Sequence, residues 1–494
     1  MAHPLVFELN TRCWLKRLTA SRGRRITLGT VPEEELDRWQ SLGVSHLWLM
    51  GVWTIGPRSR ATALASPELR RTFDKTLPGW KSEQVSGSPF AIGEYKVPRQ
   101  LGGENGLQTF RRQLHHRGLK LLLDFVPNHL GIDHAWAVER PGLLVQSAFA
   151  TDETFSLSNA DGLIRWAAHG KDPNFPAWID TMQLDYRLAE THQAMIELLK
   201  SVARRCDGVR CDMAMLLLSD VFAQTWRKFP CDGIATGREF WADAIQIVKH
   251  AQPGFIFLGE VYWDLEARLQ SLGFDYTYDK RLYDYLVYRN HAELQRHLFG
   301  VTPDFIARSA HFLENHDEPR VAAILSPAEH RAAALLVLGL PGLRLLHDGQ
   351  LTGASTKVPV QLDCSPVETP QPEIEALYHR LLTALPAAAI GTGRGELLRP
   401  RPAWPDNPTA RNFVIVQWQS EPDAFDLVVI NLAPHQGQCF VSLNVTNLAR
   451  QNWQMNDLLG DETYHRFGDD LAGQGLYLDL PAHGARLFHF RPVV

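Results

Sequence analysis

Hydrophobic positions along the chain fall into two alternating textures. Short apolar runs of strand length are separated by longer stretches in which apolar residues recur every three or four positions, the spacing of a helix face. Residues 5–10 read as a first strand. Pro32-Glu33-Glu34-Glu35-Leu36 then opens a helix, with proline at its start and acids at its positive end. Further apolar runs at 44–50, 119–125, 208–211, 255–259, 275–277, 309–313 and 343–346 bring the strands to eight. Helical periodicity covers 104–118, 189–205, 241–251, 281–298, 329–338 and 373–385. Alternating strands and helices predict a parallel α/β fold, and eight such units are the count of a TIM (β/α)8 barrel.

Three stretches depart from this rhythm. Residues 51–103 are rich in Gly, Pro, Ser and Trp, and between His129 and about Asp185 aromatics mix with polar groups in irregular runs. A loop of that length inside a barrel usually carries function. Beyond Ala389 the pattern changes to short alternating runs, such as 413–418 and 426–431, which predict an all-β module.

Composition narrows the class of partner. With 494 residues the chain is too long for one ordinary core, so a large barrel plus accessory modules is the natural expectation. The formal net charge of -5 speaks against a nucleic-acid partner, which would call for a basic surplus. No run approaches the ~18–20 apolar residues of a membrane helix. The N-terminal stretch from Met1 to Asn10 has neither a basic start nor a long apolar core, and the six cysteines are scattered. Both features suit a cytoplasmic protein with reduced thiols.

Candidate chemistry begins at Gly208-Val209-Arg210-Cys211-Asp212, where an arginine and a carboxylate two residues apart share one face of a strand end. Alone, the pair is as well read as a structural ion pair as an activated nucleophile held ionised by opposite charge. Three other stretches accompany it in order: Asp124-Phe125-Val126-Pro127-Asn128-His129, Gly259-Glu260 and Glu314-Asn315-His316-Asp317. Together the four resemble the signature segments of the α-amylase family of glycoside hydrolases and transglycosylases (glycoside hydrolase family 13), D-x-V-x-N-H, G-x-R-x-D, G-E and x-N-H-D.

The resemblance implies a catalytic barrel over 1–129 and 186–390, an inserted B domain over 130–185 after the third strand, and a C-terminal β-sandwich over 391–494. Gln183-Leu184-Asp185-Tyr186 resembles the segment that closes the insertion. It also implies Asp212 as nucleophile, Glu260 as acid/base and Asp317 as the third carboxylate, which grips ring hydroxyls. Retention needs two carboxyl groups about 5 Å apart and an acid with a raised pKa. His129 and His316 are implied as hydrogen-bonding partners of the same sugar, Arg210 as the residue that orients Asp212, and Asp124 and Asn128 as supports. Ser88 to Tyr95 resembles the stretch whose aromatic ring stacks on the sugar, with Phe90 the best match although its spacing differs. Trp263, and with it Trp136, Trp166 and Trp178, are candidate stacking platforms, each also readable as core; Lys171 and Asp172 are candidates for end-group recognition.

No cofactor is implied, and the metal set is none. Relatives that hold a structural Ca2+ near the counterpart of Asn128 commonly carry a Lys-His pair where this chain has Met215-Leu216, so calcium is not favoured. The implied function is a retaining α-glycoside hydrolase acting on α-1,4-linked glucans or malto-oligosaccharides. The alternatives are a transglycosylase or isomerase of the same family and, from another class, a non-catalytic carbohydrate-binding protein.

Overall fold

The computed structural model describes all residues except 1–2, 159–163, 232, 234–235, 422–423 and 494, so the first two positions of the N-terminal stretch lie outside it. Eight parallel strands close into a barrel: β1 (Leu5–Asn10), β2 (His46–Met50), β3 (Lys120–Phe125), β4 (Gly208–Cys211), β5 (Ile256–Gly259), β6 (Tyr276–Tyr278), β7 (Ser309–His311) and β8 (Leu343–His347). Each pairs with its neighbours in sequence order, and β1 closes on β8 with Leu5 opposite Arg344.

Side chains along a strand alternate between faces, so every second residue of each strand fills the barrel. The lower layers are apolar, with Val6, Leu122, Leu258, Tyr276, Ala310 and Leu345 in one cluster. Toward the C-terminal ends the inward positions turn polar: Glu8, Asp124, Arg210 and Glu260 are all buried there. That end is where barrel enzymes carry their chemistry.

The insertion after β3 is anchored by a short antiparallel pair, His129–Gly131 with Thr181–Gln183, and holds a three-stranded sheet of 146–147, 154–158 and 164–168. The C-terminal part is antiparallel. A six-stranded sheet packs Phe413, Ile415, Leu427 and Val429 onto Cys439, Leu476 and Leu478 of a three-stranded sheet, making a sandwich core. The other face of the larger sheet covers the barrel, where the Trp418 indole N–H donates to the carbonyl of Gly339 at 2.7 Å. Burial on both faces explains why 413–418 is apolar almost throughout, with Gln417 also buried.

The barrel and the sandwich match the sequence reading; three local features differ. The single helix expected over 281–298 is two, Lys280–Val287 and His291–Gly300, separated at Arg289 with φ 58° and capped by the Asn290 side chain on the N–H of Glu293. The segment 51–103 contains two helices, Pro57–Ala65 and Pro67–Thr76, each with proline in its first turn and the second capped by Ser66. Strand β6 lies one residue later than the expected 275–277, bringing Tyr278 into the barrel interior. Among the described residues no helix is long and apolar enough to cross a membrane.

Candidate active site

The site is built by continuing the parallel ladder one step past the strand ends. The N–H of Asp212 donates to the carbonyl of Phe125 at 2.9 Å, and the N–H of Glu260 to that of Cys211 at 3.0 Å. Asp212 and Glu260 therefore stand on adjacent strands at the same height. The chain then turns at Met213, with φ 43°, and its N–H donates to Glu260 Oε2 at 2.8 Å.

Arg210, fully buried beneath them, joins the carboxylates. Its Nη1 donates to Asp212 Oδ1 at 2.6 Å, and Nη2 lies 2.7 Å from Glu260 Oε2 and 4.0 Å from Asp317 Oδ2. Neither Nη2 contact is an aligned hydrogen bond. Trp48, Phe90 and Tyr278 surround the guanidinium at 5.4, 5.3 and 5.9 Å.

Burial sets the titration of the pair. It pushes the Glu260 carboxyl up to about 7, helped by Asp212 and Asp317 and opposed by Arg210 and the Met213 N–H. The Tyr262 hydroxyl donates to Glu260 Oε1 at 2.7 Å. Burial also raises Asp212, against the pull of the Arg210 charge and hydrogen bond. The arginine lies against Asp212 as the sequence suggested, but its pull does not offset desolvation, which is the larger effect here.

Asp317 reaches the cleft from the turn after β7, where the buried Asn315 amide oxygen accepts from the N–H groups of Asp317 and Glu318 at 2.9 and 3.0 Å. Its carboxyl is held well below the usual range; burial would raise it, but His316 and Arg210 outweigh that. His316 is buried, with the Phe90 ring stacked on it at 5.2 Å and 26°. His129 is buried beside Trp178, 4.9 Å between rings, and burial lowers its pKa to about 4, so the imidazole is neutral. Asp124 sits behind the site, accepting from the Trp48 indole at 2.9 Å and the Gly51 N–H at 2.6 Å.

A cavity of about 510 Å³ opens beside Met213 and Tyr262 and is lined further by Trp178, Phe175 and Trp263. Trp263 is 40% exposed, and both it and Asp264 have φ of 63°. The cations at this wall are engaged, Lys280 with Asp284 and Glu318, and Arg281 with Asp264. Asp172 also lines the cavity, whereas Lys171 is tied to Glu153 at 2.7 Å and stands over Trp226. Trp136 packs against His134 under the Arg140 guanidinium, and Trp166 lies on the insertion's sheet.

At Asn128, the oxygens a hard cation would require are already acceptors. The Gln183 amide nitrogen donates to the Asn128 carbonyl at 2.7 Å, to its side-chain oxygen at 3.0 Å and to the Leu184 carbonyl at 3.0 Å. One amide donor among three neutral oxygens does not fit Ca2+, which takes six to eight oxygen ligands, usually including carboxylates.

Sequence reasoning missed Glu8, Trp48, Gln183 and Tyr278 as members of this site, and read Tyr262 only as an apolar flank of Glu260 rather than as a hydroxyl donor to it. Glu8 alone had a local signal, an acid on the inward face of an apolar strand.

The catalytic-domain model of the α-amylase family matches residues 34–368. Among curated proteins, α-amylase 3 of Dictyoglomus thermophilum is 20% identical over 355 residues, 66% of this chain and 60% of that one. The α-amylase MalA of Haloarcula japonica is 23% identical over 268 residues, 52% and 35% of the respective lengths. The chain thus spans less than two thirds of the length of these curated relatives. The solved α-amylase of Geobacillus thermoleovorans, in complex with acarbose, superposes with a TM-score of 0.67 at 18% identity, over 99% of each chain; at that identity the likeness is one of fold.

Proposed function

Because the chain belongs to the α-amylase family of glycoside hydrolases, we propose that it is a retaining hydrolase of α-1,4-linked glucans or malto-oligosaccharides, with Asp212 as nucleophile and Glu260 as acid/base. The observation that carries this reading is the single Arg210 guanidinium touching Asp212 at 2.6 Å and Glu260 at 2.7 Å through its two terminal nitrogens. Carboxyl groups joined in that way suit the short spacing of a double displacement rather than the wider gap that admits water between them.

In the first step Glu260 gives its proton to the glycosidic oxygen while Asp212 bonds to the anomeric carbon, and the leaving sugar departs with a new hydroxyl. In the second, Glu260 takes a proton from water, whose oxygen displaces Asp212 from the same carbon. Glu260, with its pKa raised to about 7, suits a group that must hold a proton first and accept one later. Asp317, His316 and neutral His129 bind ring hydroxyls, Phe90 and Trp263 offer ring faces, and Arg210 and Asp124 hold the machinery in place. A neutral sugar suits the cavity because its cations are already paired with carboxylates.

The test is product analysis by chromatography and anomeric NMR with maltoheptaose, maltose, trehalose and pullulan. Shorter oligosaccharides released first as α-anomers are the expected result. Longer oligomers or new linkages would replace hydrolysis by transglycosylation, and first-formed β-anomers would end the retaining reading. Turnover of none of these sugars would remove the substrate class.

A further inference from the structure

The four signature segments leave Glu8 out, yet it has one of the closest contacts in the site. It lies on the inward face of β1, with no solvent exposure, and its Oε1 is 2.6 Å from Nδ1 of His316. On the opposite side of the same ring, Nε2 is 2.9 Å from Asp317 Oδ2. We propose that Glu8 is a positioning residue that keeps His316 as an imidazolium between two carboxylates, so that its Nε2–H serves Asp317 and the bound sugar. This rests on the hydrolase reading of the same site.

The geometry supports it in two ways. A neutral imidazole has one N–H and one lone pair. With a carboxylate oxygen at each nitrogen, either neutral tautomer aims a lone pair at an anion, whereas the imidazolium presents an N–H to both, bonded to Glu8 and only close to Asp317. Second, Nε2 makes no aligned hydrogen bond although it is buried, which leaves that N–H for a sugar hydroxyl. The pKa of His316 is raised to about 10: burial would lower it, but Asp317 and Glu8 outweigh that.

The groups facing this ring come from several elements. Glu8 approaches from β1 and Asp317 from the ring's own turn, and Asp124 on β3 contributes a third, more distant negative charge. Arg210 on β4 reaches Asp317 at 4.0 Å, the Lys357 ammonium donates to the Asp317 carbonyl, and the Tyr278 hydroxyl feels the Glu8 charge from β6. The Trp48 edge at 5.6 Å and the stacked Phe90 ring exclude water. With Glu260 holding its proton, Arg210 alone still cannot balance Asp212, Asp317 and Glu8, and a charged His316 supplies the second buried cation.

If Glu8 acts through His316, its loss weakens bonds that tighten in the transition state, so kcat falls with little change in KM. The first measurement is a histidine NMR titration of the wild type, with His316 assigned by its absence in His316→Gln. His316 is expected to stay doubly protonated well above the ordinary ~6.5. In Glu8→Gln its pKa should fall by about 1–3, the size of losing one adjacent opposite charge. Glu260, raised to about 7, sets the first alkaline fall of kcat for maltoheptaose; above the lowered His316 pKa a second break should appear in Glu8→Gln, steepening the fall by a further ~tenfold per pH unit, where the wild type shows it only at higher pH. Glu8→Asp, which keeps the charge, should restore most of both.

A wild-type His316 with a single N–H, or a Glu8→Gln variant that titrates as the wild type does or raises only KM, would overturn the proposal. The NMR arm needs no turnover. If maltoheptaose is not cleaved, the hydrolase reading falls while the Glu8–His316 link is still decided.

Discussion

Arg210 and Asp212 meet at 2.6 Å beneath the cleft, the arginine without solvent exposure and the aspartate nearly so. Two residues of one strand end, on one face, place a cation under a nucleophile while burial raises the carboxyl it would otherwise hold down. The same guanidinium also reaches Glu260 and Asp317. Removing it strands two buried acids at once.

Arg210→Met is therefore expected to cost stability as well as catalysis. Breaking a buried ion pair from one side costs about 3–5 kcal/mol. Denaturant unfolding should show a loss of that order, alongside a fall in kcat of at least a hundredfold. Unchanged stability would mean that the carboxyls take up protons without penalty.

Activity should depend on pH through Glu260. Its pKa is raised to about 7, and the protonated form is the one that donates to the leaving oxygen. Turnover is thus expected to fall as pH rises through about 7. The Tyr262 hydroxyl donates to this carboxyl and so favours its ionised form. Tyr262→Phe should move the alkaline limb of kcat/KM to higher pH, and movement the other way would show that Glu260 is the donor in that pair. In Glu260→Gln turnover should be lost with sugar binding retained.

Gln183 is expected to lock the insertion to the barrel without a metal. Its amide nitrogen serves three buried acceptors, two of them on Asn128. Gln183→Leu takes the donor from the Asn128 side-chain oxygen, at a cost of roughly 1–3 kcal/mol, while the Asn128 carbonyl still accepts from the Leu184 N–H at 3.3 Å. Calorimetry should show a lowered melting temperature for the variant. In the wild type, a Ca2+ chelator should leave the melting temperature unchanged, and a fall would show that a cation binds.

Trp263 should matter for binding and little for folding. Covering roughly 60 Å² of its ring with a sugar, at about 25 cal/mol per Å², amounts to about 1.5 kcal/mol, or roughly tenfold in affinity. Trp263→Ala is expected to raise KM for maltoheptaose by about that factor. Its left-handed backbone, φ 63°, suggests that Trp263→Gly would relieve some strain and fold at least as stably. A loss of kcat at unchanged KM would place the ring at the chemistry instead of beside it.

The barrel, its strand order and the identity of the residues at its C-terminal rim were legible in the amino-acid pattern alone. Those features are local. Hydrophobic period separates strand from helix, and the residue that follows a strand's last ladder position must emerge at the rim, as Asp212 and Glu260 do. Local signals also had gaps: prolines at 57 and 67 marked two helix starts within a stretch that read as loop, and the break at Arg289 had no apolar signature. Which distant residues meet depends on the closed fold. Glu8 and His316 lie 308 positions apart in sequence and 2.6 Å apart in space, because closing the sheet brings β1 against the turn that follows β7. Gln183 reaches Asn128 across the whole insertion in the same way. The order of protonation within the site belongs to this second class. It depends on how deeply each carboxyl is buried and on charges delivered by β1, β3, β4 and the turns after β5 and β7 together, a sum that does not exist until the barrel closes.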